Sequence, residues 1–124
     1  MTEWESGRES ELLDDIIAGR KTIEGRLNRD KFAKYRVGDV IKIRRDYRGA
    51  DGVLRDGEPD AARVQIVAIR HYDTFFDMVG AEGFARVIPR ATTIEEAASE
   101  YNRYYSAGDQ AHYGVLAIEI VVIQ

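Results

Sequence analysis

Two β-branched runs constrain this chain most: "ARVQIVAIRHY", Ala62 to Tyr72, and "GVLAIEIVVI", Gly114 to Ile123. Each reads as a strand, the second as a buried one. The sequence between them is helical in pattern. "TTIEEAASEYNRYYS", Thr92 to Ser106, opens with a capping box, Thr93 followed by Glu96. It carries Ile94, Ala97, Ala98, Tyr101, Tyr104 and Tyr105 at helical spacing. "DTFFDMV" offers Asp73 or Thr74 as a cap and Phe75, Phe76 and Val79 as core anchors. "AEGFARVIP" reads as a short irregular helical piece that stops before Pro89.

The first half alternates in the same uneven way. "ESELLDDIIAG", Glu9 to Gly19, puts Leu12, Leu13, Ile16 and Ile17 on one helical face, with Ser10 as cap and Gly19 as stop. Residues 21–27 read as a strand, with Thr22, Glu24 and Arg26 on one side and Ile23 and Leu27 on the other. "NRDKFAKY" is a short turn or helix that places Phe32 and Tyr35 inward; "VGD" is a turn. "VIKIR", Val40 to Arg44, is a further strand. Residues 46–61, with Gly49, Gly52, Gly57 and Pro59, form a hairpin tip or mobile loop. One strand follows each helix, which fits an α+β fold built on a closed or half-closed β-barrel with helices on its outside. No G-x-G-x-x-G or P-loop pattern points to a doubly wound nucleotide-binding sheet. At 124 residues the expectation is one domain, residues 1–124.

The absence of cysteine excludes disulfides, thiolate metal sites and a cysteine nucleophile. His71 and His112 are the only histidines, so neither a metal site nor a cofactor is expected. The apolar runs are too short for a membrane span, and "MTEWESGRES" lacks a signal-peptide pattern. The expectation is a cytoplasmic protein with no membrane partner.

Net charge is −4, yet it is unevenly placed. Residues 20–48 hold eleven Lys/Arg against four acids, a local +7. The rest holds seven Lys/Arg against eighteen acids, or −11. Either the basic segment meets a polyanion, or the two regions neutralise each other in the fold.

Within that segment, "GRKTIEGR", Gly19 to Arg26, matches the pattern G-x-K-x-x-E-x-R. It resembles the signature of ASCH domains (activating signal cointegrator homology). "VGDVIKI", "RHYDTFFDMVGAEGFARVIP" and "YGVLAIEI" resemble further elements of that family in the right order, so the likeness covers nearly the whole chain. It implies a PUA-like β-barrel with flanking helices and a cleft lined by the signature residues. It also implies RNA or a modified nucleoside derivative as partner. Some relatives are hydrolases, either ribonucleases or amidohydrolases acting on N4-acylated cytidine. A regulatory interaction domain without nucleic acid is the third alternative.

The candidate catalytic residues are Lys21, Glu24 and Glu82. The candidate binding residues are Lys21, Thr22, Glu24, Arg26, Asn28, Arg44 and Tyr72. Lys21 either binds an anion or, desolvated, loses its proton and acts as a base; the plain alternative is a surface lysine at a strand mouth. Glu24 and Arg26 share a strand face, where Arg26 offers a planar fork for a phosphate or base edge. They equally suit a simple intrastrand charge pair. Strict alternation puts Lys21 on the other face, so convergence requires it to sit at the strand's start or reach around its edge. In deacylating relatives a Lys, a hydroxyl and a later Glu act together. Lys21 and Glu82 match two of these, whereas Glu24 stands where the hydroxyl is expected and Thr22 lies too early. Tyr101, Tyr104 and Tyr105 suit base stacking or core packing, with Tyr72, Tyr113 and Trp4 as further stacking candidates. His112 sits in a turn before the last strand.

Overall fold

Five strands and five helices make up residues 1–123, which the computed structural model describes. In order they are β1 (Glu3–Glu9), α1 (Ser10–Ile17), β2 (Ile23–Leu27), β3 (Val40–Arg48), β4 (Leu54–Tyr72), α2 (Phe75–Glu82), α3 (Phe84–Val87), α4 (Ile94–Asn102), α5 (Ala107–Tyr113) and β5 (Val115–Val122). A 3-10 turn, Asp30–Lys34, lies between β2 and β3. The strands form one curled sheet in the order β1-β3-β4-β5-β2, an α+β half-barrel with β1 and β2 as its two edges. β1 runs parallel to β3; the remaining neighbours are antiparallel.

β5 shows how the sheet serves two cores at once. Leu116, Ile118 and Ile120 point into the barrel, beside Leu13, Ile16, Ile41, Ile43, Val64 and Ile66. Val115 and Ala117 point the other way, into a layer made with Phe75, Met78, Val79, Ala97, Ala98 and Tyr101 from α2 and α4. Period-two alternation on a fully covered strand accounts for its nearly continuous apolar sequence. A bulge at Val67 interrupts β4: Ile66 pairs with Ile120, but Ala68 pairs with Glu119. The extra residue switches sides. Val64 and Ile66 face the barrel before it, whereas after it Ile69 and His71 do, and Arg70 and Tyr72 turn toward the helices.

The expected caps form at Thr74, which accepts from the Asp77 amide, and at Thr93, which accepts from the Glu96 amide. Ser10 is not a cap: α1 starts after Glu9, and the Ser10 hydroxyl accepts from Arg45 instead. β1 was not expected from the sequence. Its barrel-facing residues are Trp4, Ser6 and Arg8, so it has almost no apolar alternation. Buried Asp39 fixes its start by accepting from the Thr2 amide and the Trp4 indole. The 46–61 stretch is mostly strand; only the residues between Arg48 and Leu54 turn. The turn before the last strand is α5, capped by Ser106. Phe76 is 50% exposed, because the inward face of α2 is Phe75, Met78, Val79 and Glu82.

Gly25 is the tightest point of the helical layer. Tyr101 stacks flat on Phe75, ring centres 4.3 Å apart, and lies over β2. A Cβ on Gly25 would stand 2.7 Å from the Tyr101 hydroxyl oxygen and 2.8 Å from the Met78 methyl. Gly25→Ala is expected to lower stability by about 1–3 kcal/mol through overpacking. Adding Tyr101→Leu should recover part of the loss in urea unfolding; an unaffected midpoint for Gly25→Ala alone would contradict this packing.

Candidate functional site

The site begins where α1 stops. Gly19 takes φ +78°, with its amide on the Ile16 carbonyl at 3.0 Å and the Arg20 amide on the Asp15 carbonyl at 2.9 Å. This Schellman turn needs a glycine-like conformation. It sends Lys21 inward two residues before β2 begins, so Lys21 escapes the alternation that would have put it opposite Glu24. Lys21 is 5% exposed, and its Nζ donates to the carbonyls of Ile23 at 3.0 Å and Val87 at 2.5 Å. Desolvation lowers its pKa from 10.5 to about 8, against the opposing pull of Glu24.

Glu24 is 3% exposed and lies in the seam between the sheet edges. Arg8 of β1 meets its Oε1 at 2.8 Å, and Arg26 meets its Oε2 at 3.3 Å. Burial alone would raise its pKa; the two guanidiniums and Lys21 outweigh that and hold the carboxyl far below the usual range. Glu24 is therefore a permanent anion and not a proton carrier. Arg8 is the residue that sequence reasoning missed. The sequence carries one signal for it, a basic residue in an otherwise acidic N-terminal stretch.

The same cations cover the open sheet edges. The Thr22 carbonyl accepts from the Ile120 amide of β5 and the Asn28 amide donates to the Gly114 carbonyl just before it, so by alternation the carbonyls of Ile23 and Gly25 point away from β5, toward the seam. Lys21 occupies the first and Arg26, at 2.7 Å, the second. On β1, Arg8 donates to the Gly7 carbonyl at 2.7 Å and Lys31 to the Glu5 carbonyl at 2.8 Å.

Lys21, Glu24, Arg26 and Arg8 together line one cleft of about 440 Å³. Tyr101, Tyr104 and Tyr105 supply aromatic lining, Ile88 and Ala91 pack in the same cluster as Tyr101 and Tyr105, and Glu9, Glu11, Arg90, Glu96 and Glu100 complete the opening. Tyr104 is 72% exposed there, whereas Tyr101 is buried.

The structure does not bring the other candidates to this cleft. Glu82 lies on the helical side of the sheet. Arg70 grips both its oxygens at 2.6 Å, and the Tyr72 hydroxyl donates to it at 2.6 Å. The Val67 bulge explains this, because it turns Arg70 and Tyr72 away from the barrel. These bonds, Arg70's foremost, lower the Glu82 pKa despite burial. The Thr22 hydroxyl accepts from Arg86 at 3.3 Å. Arg44 pairs with Asp46 and lies over Gly7. Asn28 lines a separate cavity at the barrel end. His112 is exposed on α5, edge-on to Tyr113. No cluster of three or more metal-ligating side chains occurs among the described residues, and no helix there is long and apolar enough to cross a membrane.

The ASCH domain family model matches residues 9–124. The chain belongs to the ASCH domain family. Its fold agrees with three solved structures. The crystal structure of hypothetical protein PH0355 is 34% identical, with a TM-score of 0.80, and the match covers 98% of this chain and 99% of that one. The solution NMR structure of protein PF0455 from Pyrococcus furiosus is 35% identical, with a TM-score of 0.77 and 98% of each chain covered. The ASCH domain from Lactobacillus crispatus is 12% identical and shares the fold, with a TM-score of 0.66, covering 98% of this chain and 79% of that one. No curated protein matches the sequence. In this ASCH domain the signature Gly is the helix stop, the Lys and Arg cap the β2 edge, and the Glu is the buried anion between them.

Arg8→Ala leaves Glu24 buried without its closest partner and is expected to cost about 3–5 kcal/mol. The Arg8→Ala/Glu24→Ala double variant should cost less than the sum of the singles; additivity in chemical denaturation would show that the pair does not couple. Lys21 titrates near 8 when folded and near 10.5 when unfolded. The unfolded chain thus binds more protons between these values, and stability rises with pH there. Relative to Lys21→Met, the wild type should gain up to about 3 kcal/mol between pH 7 and 10.5. A pH-independent difference would show that the buried ammonium titrates normally.

Proposed function

We propose that this ASCH domain binds RNA or a modified nucleoside by taking one base into the seam cleft. The carrying observation is the meeting of two buried cations, Arg8 and Lys21, half-buried Arg26 and a group of tyrosines in one opening of about 440 Å³. Lys21 has a third N–H beyond its two carbonyl bonds, and Arg8 keeps an unused Nη2. Such donors suit the carbonyl edge of a base. Exposed Tyr104 suits its face. Association of the family with RNA supports the same reading. Glu24, in this reading, holds Arg8 and Arg26 in place and has no part in proton transfer.

A hydrolytic second reading rests on Lys21, whose lowered pKa supplies a fraction of free amine near neutral pH. It lacks a partner: Glu24 is locked by two arginines and Glu82 is held by Arg70 elsewhere. One incubation tests both. Mixed short RNAs and N4-acylated cytidine are presented at low salt, with binding read by fluorescence and products by mass. Binding without product is expected. Tyr104→Ala should weaken binding by about 5- to 150-fold, the worth of one stacked base, with stability unchanged. Product that vanishes in Lys21→Ala would establish the hydrolase, and neither binding nor product would leave a regulatory interaction domain.

A further inference from the structure

Six arginines of the basic segment meet carboxylates: Arg20 with Asp15, Arg26 with Glu24, Arg29 with Asp109, Arg44 with Asp46, Arg45 with Asp14 and Arg48 with Glu9. Lys21 is buried. Among the described residues, Lys31, Lys34, Arg36 and Lys42 form no ion pair. Three of these four stand within six residues, on the 3-10 turn and its exit. Lys34 and Arg36 are exposed, and Lys31 is half-buried.

This turn abuts the cleft. Phe32 has the Arg26 guanidinium 5.2 Å from its ring centre and the Lys31 ammonium 5.5 Å away. Arg26 is a cleft wall, so positive charge continues from the cleft floor onto the turn. On the turn's other side lies a cavity of about 320 Å³ lined by Asn28, Phe32, Tyr35, Arg36 and His71. The Tyr35 hydroxyl is buried and has no hydrogen-bond partner. The cleft rim formed by Glu9, Glu11, Glu96 and Glu100 is unsuited to a polyanion, because the cations there, Arg48, Arg90 and Arg103, are already paired with Glu9, Glu11 and Glu100. A strand that delivers a base to the cleft is thus guided out over the turn.

We infer that Lys31, Lys34 and Arg36 contact the backbone phosphates of a single-stranded RNA whose base occupies the cleft, and that the adjoining nucleotide rests in the barrel-end cavity against Asn28, Phe32 and His71. This rests on the base-in-cleft reading. A duplex is disfavoured because its bases are stacked and cannot enter.

The test uses the full chain, a single-stranded RNA of about eight nucleotides, and the matching free nucleosides. Binding is measured over a range of salt for the wild type and for the K31Q/K34Q/R36Q variant. The variant should lose about tenfold or more in RNA affinity at low salt, and its salt slope should fall by about 2, the share of three phosphate contacts on a single strand. Nucleoside affinity should not change, and any fall in melting temperature should match that of K31Q alone, which loses the bond to the Glu5 carbonyl. An unaltered RNA slope overturns the proposal. Competition by poly-glutamate as strong as by RNA also overturns it, marking the turn as a surface for acidic proteins. Wild-type binding of nucleoside but not RNA sinks this proposal while the cleft reading stands; binding of neither sinks both.

Discussion

A single buried carboxylate holds this half-barrel closed at the seam. β1 and β2 are the ends of the sheet and do not pair with each other. Glu24 on one and Arg8 on the other meet at 2.8 Å. An ion pair is a costly joint, since both charges leave water. Its use here follows from what else the joint does. A hydrophobic seam would weld the edges together and leave no polar floor. The charged seam gives the cleft cationic donors whose positions are set by a fixed anion, and Lys21 enters the same field through the turn at Gly19. The anion's chemistry is constrained by the same bonds. Held far below the ordinary carboxylate range, Glu24 can orient and attract, and it cannot exchange protons near neutral pH.

The basic segment illustrates how charge in a sequence divides on folding. Six of its seven arginines, with their planar forks, are matched with carboxylates among the described residues, Arg36 being the exception. Its lysines go elsewhere: Lys21 to buried carbonyls, Lys31 to a strand edge, Lys34 to solvent. Internal neutralisation therefore accounts for the larger part of the +7 stretch. Besides buried Lys21, three of the four cations left without an ion pair among the described residues are gathered on one turn and its exit beside the cleft, and the fourth, Lys42, lies on β3.

Much of this was legible in the sequence, and the rest was hidden for identifiable reasons. Helix stops and caps are local, so Gly19, Thr74 and Thr93 could be read directly. The apolar runs of β4 and β5 announced a covered sheet. β1 was invisible because its inward side chains are polar, and its identity depends on Asp39 thirty-five residues away. Arg8 was missed with it. The placement of Glu82 and Tyr72 turned on one extra residue at Val67, a bulge that no propensity marks. Linear spacing set Lys21 and Glu24 on opposite faces. The structure reunites them because strand geometry starts only at Ile23.

The cations of the seam have one more effect, on the protein's behaviour in a crowded solution. A half-barrel has two free strand edges, and free edges invite strands from other molecules to add on. Here the outward carbonyls of Glu5, Gly7, Ile23 and Gly25 are each taken by a lysine or arginine from the same chain. An approaching strand would find acceptors already occupied and a row of positive charge in front of them. The edges can thus stay without strand partners and not become a template for aggregation.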